Sequence, residues 1–258
     1  MKFLGIIPAR YASTRFPGKP LAVLGGKTII RRVYEQVKDI LDEVVVATDN
    51  IDICKEVESF GGRAIMTSET HRSGTDRCYE ASEKVHESLI EKESYDVITN
   101  IQGDEPFIRP EQIETLKRCF DDASTQIATL VKPFDTNSPF ELLENVNTPK
   151  VVIDNHGYAL YFSRSIIPYQ RNTEKSTWLK NHTYYKHIGL YAYRREVLKQ
   201  IYSLQTSSLE KAESLEQLRW LQNGYKIKTG ITHIDTIGID TPSDLERAEQ
   251  FLQNTAWK

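Results

Sequence analysis

The sequence predicts an α/β fold: a mostly parallel, twisted sheet carrying an inserted antiparallel lobe. Three observations lead there. Strand-like apolar runs alternate with helical stretches through residues 1–135, the rhythm changes to hairpin-like strands after about residue 135, and no Pro/Gly linker, repeat or low-complexity tract interrupts the chain. Residues 3–7, 43–47, 63–66, 96–101 and 126–131 read as strands because they are short and rich in Val, Ile and Phe, and helical patterns at 28–41, 51–60, 75–88 and 110–120 separate them. In such a sheet ligands bind beyond the carboxyl ends of the strands. Residues 150–153 and 158–162 flank the turn Asp154-Asn155-His156-Gly157 as an antiparallel hairpin. Residues 164–183 are polar and irregular, as a functional loop or an interface is, and an apolar-aromatic strand covers 184–193. Helices over 208–221 and 242–252 bring the chain back. We therefore expect one domain over 1–258, with a core at 1–135, an insertion at 136–207 and a return at 208–258.

Composition narrows the function classes. The 258 residues hold 36 acids and 33 Lys and Arg, a formal charge of −3, so no global cationic field favours nucleic acid. With 39% hydrophobic and 27% charged residues the chain reads as folded, and no apolar run approaches the roughly 18 residues of a membrane span. The start, Met1 to Pro8, lacks the long apolar region and cleavage site of a secretory signal, so a cytoplasmic protein is expected. Cys54, Cys78 and Cys119 form no C-x-x-C pair and read as reduced structural thiols.

The most informative segment follows the first strand: Pro8-Ala9-Arg10-Tyr11-Ala12-Ser13-Thr14-Arg15-Phe16-Pro17-Gly18-Lys19-Pro20. Arg10, Arg15 and Lys19 share one loop, which is either a solvated basic loop or a polyphosphate cradle, and its place at a strand's carboxyl end favours the cradle. Gly26-Lys27-Thr28 supplies the end of a Walker A motif, but Leu21 stands where its first glycine belongs, and no G-x-G-x-x-G follows the first strand. After the strand at 96–101 comes Gln102-Gly103-Asp104-Glu105-Pro106, a turn whose Asp104 suits Mg²⁺, a cation held by one or two carboxylates together with phosphates. Asp240 precedes a helix start with Thr241 as N-cap, Pro242 at N1 and Asp244 at N3, and is the second metal candidate. His71-Arg72-Ser73-Gly74-Thr75-Asp76-Arg77 is a helix start able to contact an anion, though ordinary capping explains the same letters. In the added strand, alternation points His187 and Tyr191 to one face, where with Ser163-Arg164 they suit an acidic polyol, while a structural histidine remains open. Residues 213–219 read as a solvated helix face.

Together the loop from Pro8 to Pro20, His71-x-Ser73-Gly74-Thr75-Asp76-Arg77 and Gln102-Gly103-Asp104-Glu105-Pro106 resemble the 3-deoxy-manno-octulosonate cytidylyltransferase (CMP-Kdo synthetase) family. Tyr158-Ala159-Leu160-Tyr161-Phe162-Ser163-Arg164, His187-Ile188-Gly189-Leu190-Tyr191, Leu215-Glu216-Gln217-Leu218-Arg219 and Asp240-Thr241-Pro242 extend the resemblance from residue 3 to about 250. It implies a Rossmann-like nucleotidyltransferase of the Gram-negative cytosol, a homodimer, that converts CTP and Kdo to CMP-Kdo and pyrophosphate for lipopolysaccharide synthesis. It further implies that Ala9, Arg10, Arg15, Lys19, Ser73, Gly74, Arg77 and Gln102 contact CTP, that Asp104 and Asp240 hold Mg²⁺, and that Arg164, His187, Tyr191, Glu216 and Gln217 bind the sugar acid. Arg15, Lys19, Asp104 and Asp240 would carry catalysis. Alternatives are a cytidylyltransferase for 8-amino-Kdo or a sialic acid, and a non-catalytic nucleotide sensor on the same fold.

Overall fold

Phe3–Ala9 forms the first strand, β1, almost wholly buried. After it come β2 (Val23–Leu24), β3 (Lys27–Thr28), α1 (Ile29–Val37), β4 (Glu43–Thr48), α2 (Ile51–Ser59), β5 (Arg63–Met66), α3 (Gly74–Ser88), β6 (Val97–Asn100) and α4 (Pro110–Arg118). The computed structural model describes residues 1–12, 15–89 and 94–254. These fall into two units, Met1–Ile113 with Thr236–Lys258, and Glu114–Asp235.

In the first unit β1 runs parallel to both β4 and β6, and β4 runs parallel to β5. Val44, Val45 and Val46 are buried, as a strand covered on both faces requires. The helices begin where side chains can take up their free N–H groups: Thr28 accepts from Arg31 N, Asn50 from Asp52 N and Ile53 N, and Ser73 from Asp76 N. Gly25 and Gly26, at φ 53° and 77°, turn β2 back onto β3. The helix expected over 28–41 ends at Val37. Beyond it Asp42 is tied to the start of β1, its carboxylate accepting from Phe3 N at 2.7 Å and its own N–H donating to Phe3 O at 3.1 Å.

The second unit contains β7 (Ile127–Pro133), α5 (Phe140–Glu144), β8 (Lys150–Ile153), β9 (Ala159–Ser163), α6 (Trp178–Asn181), β10 (Tyr185–Arg194), α7 (Arg195–Tyr202), α8 (Ser208–Glu213), α9 (Gln217–Gln222) and β11 (Ile227–Ile231). Here β7 lies parallel to β11 and antiparallel to β10, and β10 is antiparallel to β8, which makes the expected hairpin with β9. The sequence places its change of rhythm near residues 135 and 207, whereas the units meet at 113 and 236, because β7 pairs with β10 and β11 of the second unit. One helix was expected over 208–221. Instead Ser214, at φ +50°, breaks it into α8 and α9, and the Arg164 guanidinium takes up the carbonyls of Glu213 (2.6 Å) and Ser214 (3.3 Å). The stretch 164–183 is less irregular than expected: α6 carries Trp178 and Leu179 into a small core with Leu143 and Tyr184. The elements α5, α7 and β11 were not anticipated, nor were α6 and the two-residue strands β2 and β3. No turn residue separates α7 from β10, and β11 is masked by the lysines flanking Ile227.

The chain re-enters the first unit and ends in α10 (Pro242–Asn254). Its cap is as expected: Asp244 Oδ2 accepts from Thr241 N at 2.8 Å and from Asp240 N at 3.0 Å. Phe251 packs edge-on to Phe107, beside Leu24, Ile29, Ile239 and Ala248. Cys54, Cys78 and Cys119 are free and buried, and among the described residues no helix is long and apolar enough to cross a membrane.

Candidate active site

At the carboxyl ends of β1 and β6 the first unit opens into a cleft of about 340 Å³. Every residue expected to contact nucleotide or metal lines it: Ala9, Arg10, Arg15, Lys19, Ser73, Gly74, Arg77, Gln102, Asp104 and Asp240. Ser13 and Thr14 of the basic loop lie outside the described residues. The loop folds back on itself through Gly18, whose φ of 70° and bond from its N–H to Tyr11 O (3.0 Å) suit glycine. It delivers Lys19 into the cleft, where its ammonium lies 2.6 Å from Asp104 Oδ2 and 3.3 Å from Asp240 Oδ1. Arg15 Nη2 lies 3.0 Å from the same Asp240 oxygen.

The two carboxylates come from loops far apart in sequence. Ile239 N donates to Asp104 O at 2.9 Å, which ties those loops together. A Cβ on Gly103 would stand 2.8 Å from Pro8 O, so only glycine lets the loop after β6 lie against the end of β1. Burial, and then the charges of Asp104 and Asp240, push the neighbouring Glu105 carboxyl up to about 8. Lys19 and Arg15 together offset the charges of the two aspartates in the cleft.

The chemistry of the donor set is the test of fit for Mg²⁺. The donors are hard carboxylate oxygens, and Asp104 and Asp240 are 31% and 49% exposed toward the cleft. Among the described residues no group of three His, Cys, Asp or Glu side chains is arranged to hold a metal, so phosphate oxygens and water would complete the coordination. The residues fit the ion.

The opposite wall is the N-terminus of α3. Ser73 and Gly74 present it to the cleft. Arg77 is aimed by Thr67 Oγ1, which accepts from Nη1 at 2.6 Å, and by Asp49 Oδ2, which accepts from Nη2 at 2.7 Å. His71 and Arg72 line the cleft as well, and the His71 Nε2 is held by Glu80. Glu80 also accepts from Ser68 N at 2.9 Å and pairs with Lys84 at 2.7 Å. Sequence reasoning missed Asp49 and Glu80. Asp49 stands at the ligand edge directly after β4, which was a usable signal, whereas nothing local marks Glu80.

The residues expected on the sugar side all lie in the second unit. His187 packs edge-on to Phe162 (5.2 Å between ring centroids) and against Tyr191 (5.3 Å), as the alternation anticipated. Burial, followed by the nearby Glu216 carboxylate, pushes the Tyr191 phenol well above its usual value. Gln217 starts the helix whose Trp220 meets Tyr191 edge-on at 5.1 Å. Leu215, Gln217, Leu218, Arg219 and Trp220 are buried, so this stretch is not the solvated face the letters suggested. Glu216 accepts from Arg219 Nη2 at 2.6 Å. Arg164 is differently placed: Nε, Nη1 and Nη2 donate to the carbonyls of Glu213, Val146 and Ser214, so the guanidinium braces backbone. Lys150, fully buried, donates to Asn145 O at 3.0 Å and Arg164 O at 2.6 Å. The Nε2 of Gln217 is buried without a hydrogen-bond partner.

Comparison with known proteins agrees with this arrangement. The pattern of the cytidylyltransferase family matches residues 4–229. A 3-deoxy-manno-octulosonate cytidylyltransferase of Bacteroides thetaiotaomicron is 66% identical over 254 residues, covering 98% of this chain and 99% of the relative. One from Porphyromonas gingivalis is 53% identical over 251 residues, covering 97% and 96%. The solved structure of a CMP:2-keto-3-deoxy-manno-octonic acid synthetase complexed with CTP superposes with a TM-score of 0.88 at 42% identity, over 98% of this chain and 99% of that one. The cleft, the ordered motifs and these likenesses place the chain in the 3-deoxy-manno-octulosonate cytidylyltransferase family.

Proposed function

We propose that this chain transfers the cytidylyl group of CTP to 3-deoxy-manno-octulosonate (Kdo), giving CMP-Kdo and pyrophosphate. The observation that carries the reading is the carboxylate pair Asp104 and Asp240, gathered on Lys19 beneath a basic loop and facing a helix N-terminus. The N–H groups at the start of α3, with Arg10, Arg72 and Arg77, hold the nucleotide's phosphates. Arg15 and Lys19 neutralise charge as pyrophosphate departs, so the protein contributes mainly positioning and electrostatics. Asp104 and Asp240 would hold Mg²⁺, which supplies phosphate charge neutralisation and a lowered pKa for an attacking hydroxyl. His187, Tyr191, Glu216 and Gln217 bind the sugar acid. Support comes from the partnerless Gln217 amide nitrogen, a buried polar group that a sugar's hydroxyl would satisfy. Arg164 contributes through the N–H groups its backbone contacts leave over. A homodimer is part of the same reading, supported by Leu142, Val146, Leu160 and Tyr169 exposed on the second unit. So are a cytoplasmic location and supply of activated sugar to lipopolysaccharide synthesis.

The test is pyrophosphate release by purified protein with Mg²⁺ and CTP, offering Kdo, 8-amino-Kdo and a sialic acid in parallel, with ATP, GTP and UTP as controls. Release that depends on both CTP and Kdo is expected. Release only with another sugar moves the substrate and keeps the chemistry, and binding of CTP without release under any pair makes the protein a nucleotide sensor. Light scattering that gave a monomer mass at micromolar concentration would overturn the dimer.

A further inference from the structure

Thr129 lies in β7, fully buried, opposite the point where the pairing of β10 slips between Ile188 and Tyr191. At the slip the Thr129 hydroxyl meets two carbonyls of β10: Oγ1 is 3.1 Å from Ile188 O and 2.9 Å from Leu190 O. The same oxygen is 3.2 Å from His187 Nε2. A threonine hydroxyl has one proton, and carbonyl oxygens only accept. Aimed at His187, that proton would leave two close oxygen–oxygen contacts with no hydrogen between them. Aimed at the carbonyls, it turns a lone pair toward Nε2, which must then carry the ring's hydrogen. Among the described residues no hydrogen bond reaches Nδ1, while the rings of Phe162 and Tyr191 flank the imidazole and His187 is only half-buried.

We infer that Thr129 is a positioning residue that locks His187 in its Nε2–H tautomer and so reserves Nδ1 as a hydrogen-bond acceptor for a hydroxyl of the sugar acid. The protein packed around the ring pushes the imidazole below its usual value, so the ring is neutral near pH 7 and reads a hydroxyl instead of attracting the sugar's carboxylate. The acceptor role rests on the proposed function, whereas the tautomer does not.

The experiment begins with nitrogen NMR of ¹⁵N-histidine-labelled wild-type protein without ligand. His187 is expected to show a protonated Nε2 and a bare Nδ1, unchanged between pH 6 and 8, and a protonated Nδ1 overturns the lock whatever the enzyme's activity. Thr129→Val keeps the shape and removes the hydroxyl. It is expected to lose the single tautomer and raise the sugar KM by about tenfold, the scale of one hydrogen bond, with the KM for CTP unchanged. Thr129→Ser is expected to restore both. Because Val strands two carbonyls and can impair folding, the wild-type spectrum and the Ser variant carry the decision if it does. An Nε2–H signal in a protein whose sugar KM is the same in wild type and Thr129→Val overturns the acceptor role and leaves the lock. An Nε2–H signal with no turnover of any sugar overturns the proposed function and the acceptor role with it.

Discussion

Replacing Glu80 by Gln measures how much the loop of residues 67–73 depends on one carboxylate. Burial alone would raise the Glu80 pKa, but hydrogen bonds from Lys84, Ser68 N and His71 outweigh it and bring the group from 4.5 down to about 2. At about 1.4 kcal/mol per pH unit, that drop corresponds to roughly 3.5 kcal/mol of stabilisation at neutral pH. The side chain is 25% exposed, and solvent screening reduces the figure to about 1–2 kcal/mol. A carboxyl whose folded pKa is depressed stabilises fully above its unfolded pKa and loses that contribution as the pH falls from 4.5 toward 2. Urea unfolding of Glu80→Gln is therefore expected to show a deficit of about 1–2 kcal/mol at pH 7 that shrinks by more than half at pH 3. His71, Arg72 and Ser73 line the cleft, so the KM for CTP should rise with it. An equal deficit at both pH values, or none at pH 7, would refute the reasoning, because an amide that keeps the Ser68 bond would then do the carboxylate's work.

Asp104→Asn and Asp240→Asn should each cut turnover at least ~10²-fold, the scale of losing a preorganised electrostatic group, with thermal midpoints nearly unchanged; pyrophosphate release and calorimetry check this. Gly103→Ala should cost about 1–3 kcal/mol in urea unfolding, since its Cβ meets backbone at 2.8 Å, while Gly74→Ala, with 3.4 Å to its nearest neighbour, should unfold like wild type. Lys150→Met strands the carbonyls of Asn145 and Arg164, and a loss of about 2 kcal/mol or more in urea unfolding is expected.

The order of strands and helices through the first half, and the cleft residues of the first unit, were legible in the sequence. Parallel strands buried on both faces announce themselves as apolar runs, and a ligand edge at their carboxyl ends turns Arg10, Arg15, Lys19, Ser73 and Asp104 into one neighbourhood without any coordinates. Asp240 was reachable through its helix cap. The family and its chemistry were also legible, because several independent motifs fall in order along the chain.

What the tertiary structure alone decided is how those groups are held. Glu80 and Asp49 meet His71 and Arg77 across 9 and 28 residues, and Arg164 meets the carbonyls of Glu213 and Ser214 across 49 and 50, separations that no local pattern encodes. At the break at Ser214 and at the slip in β10 opposite Thr129, side chains distant in sequence bond to backbone carbonyls. Periodicity records only which residues seek the core, so it could place His187 and Tyr191 on one face but could not show which nitrogen of His187 carries the proton.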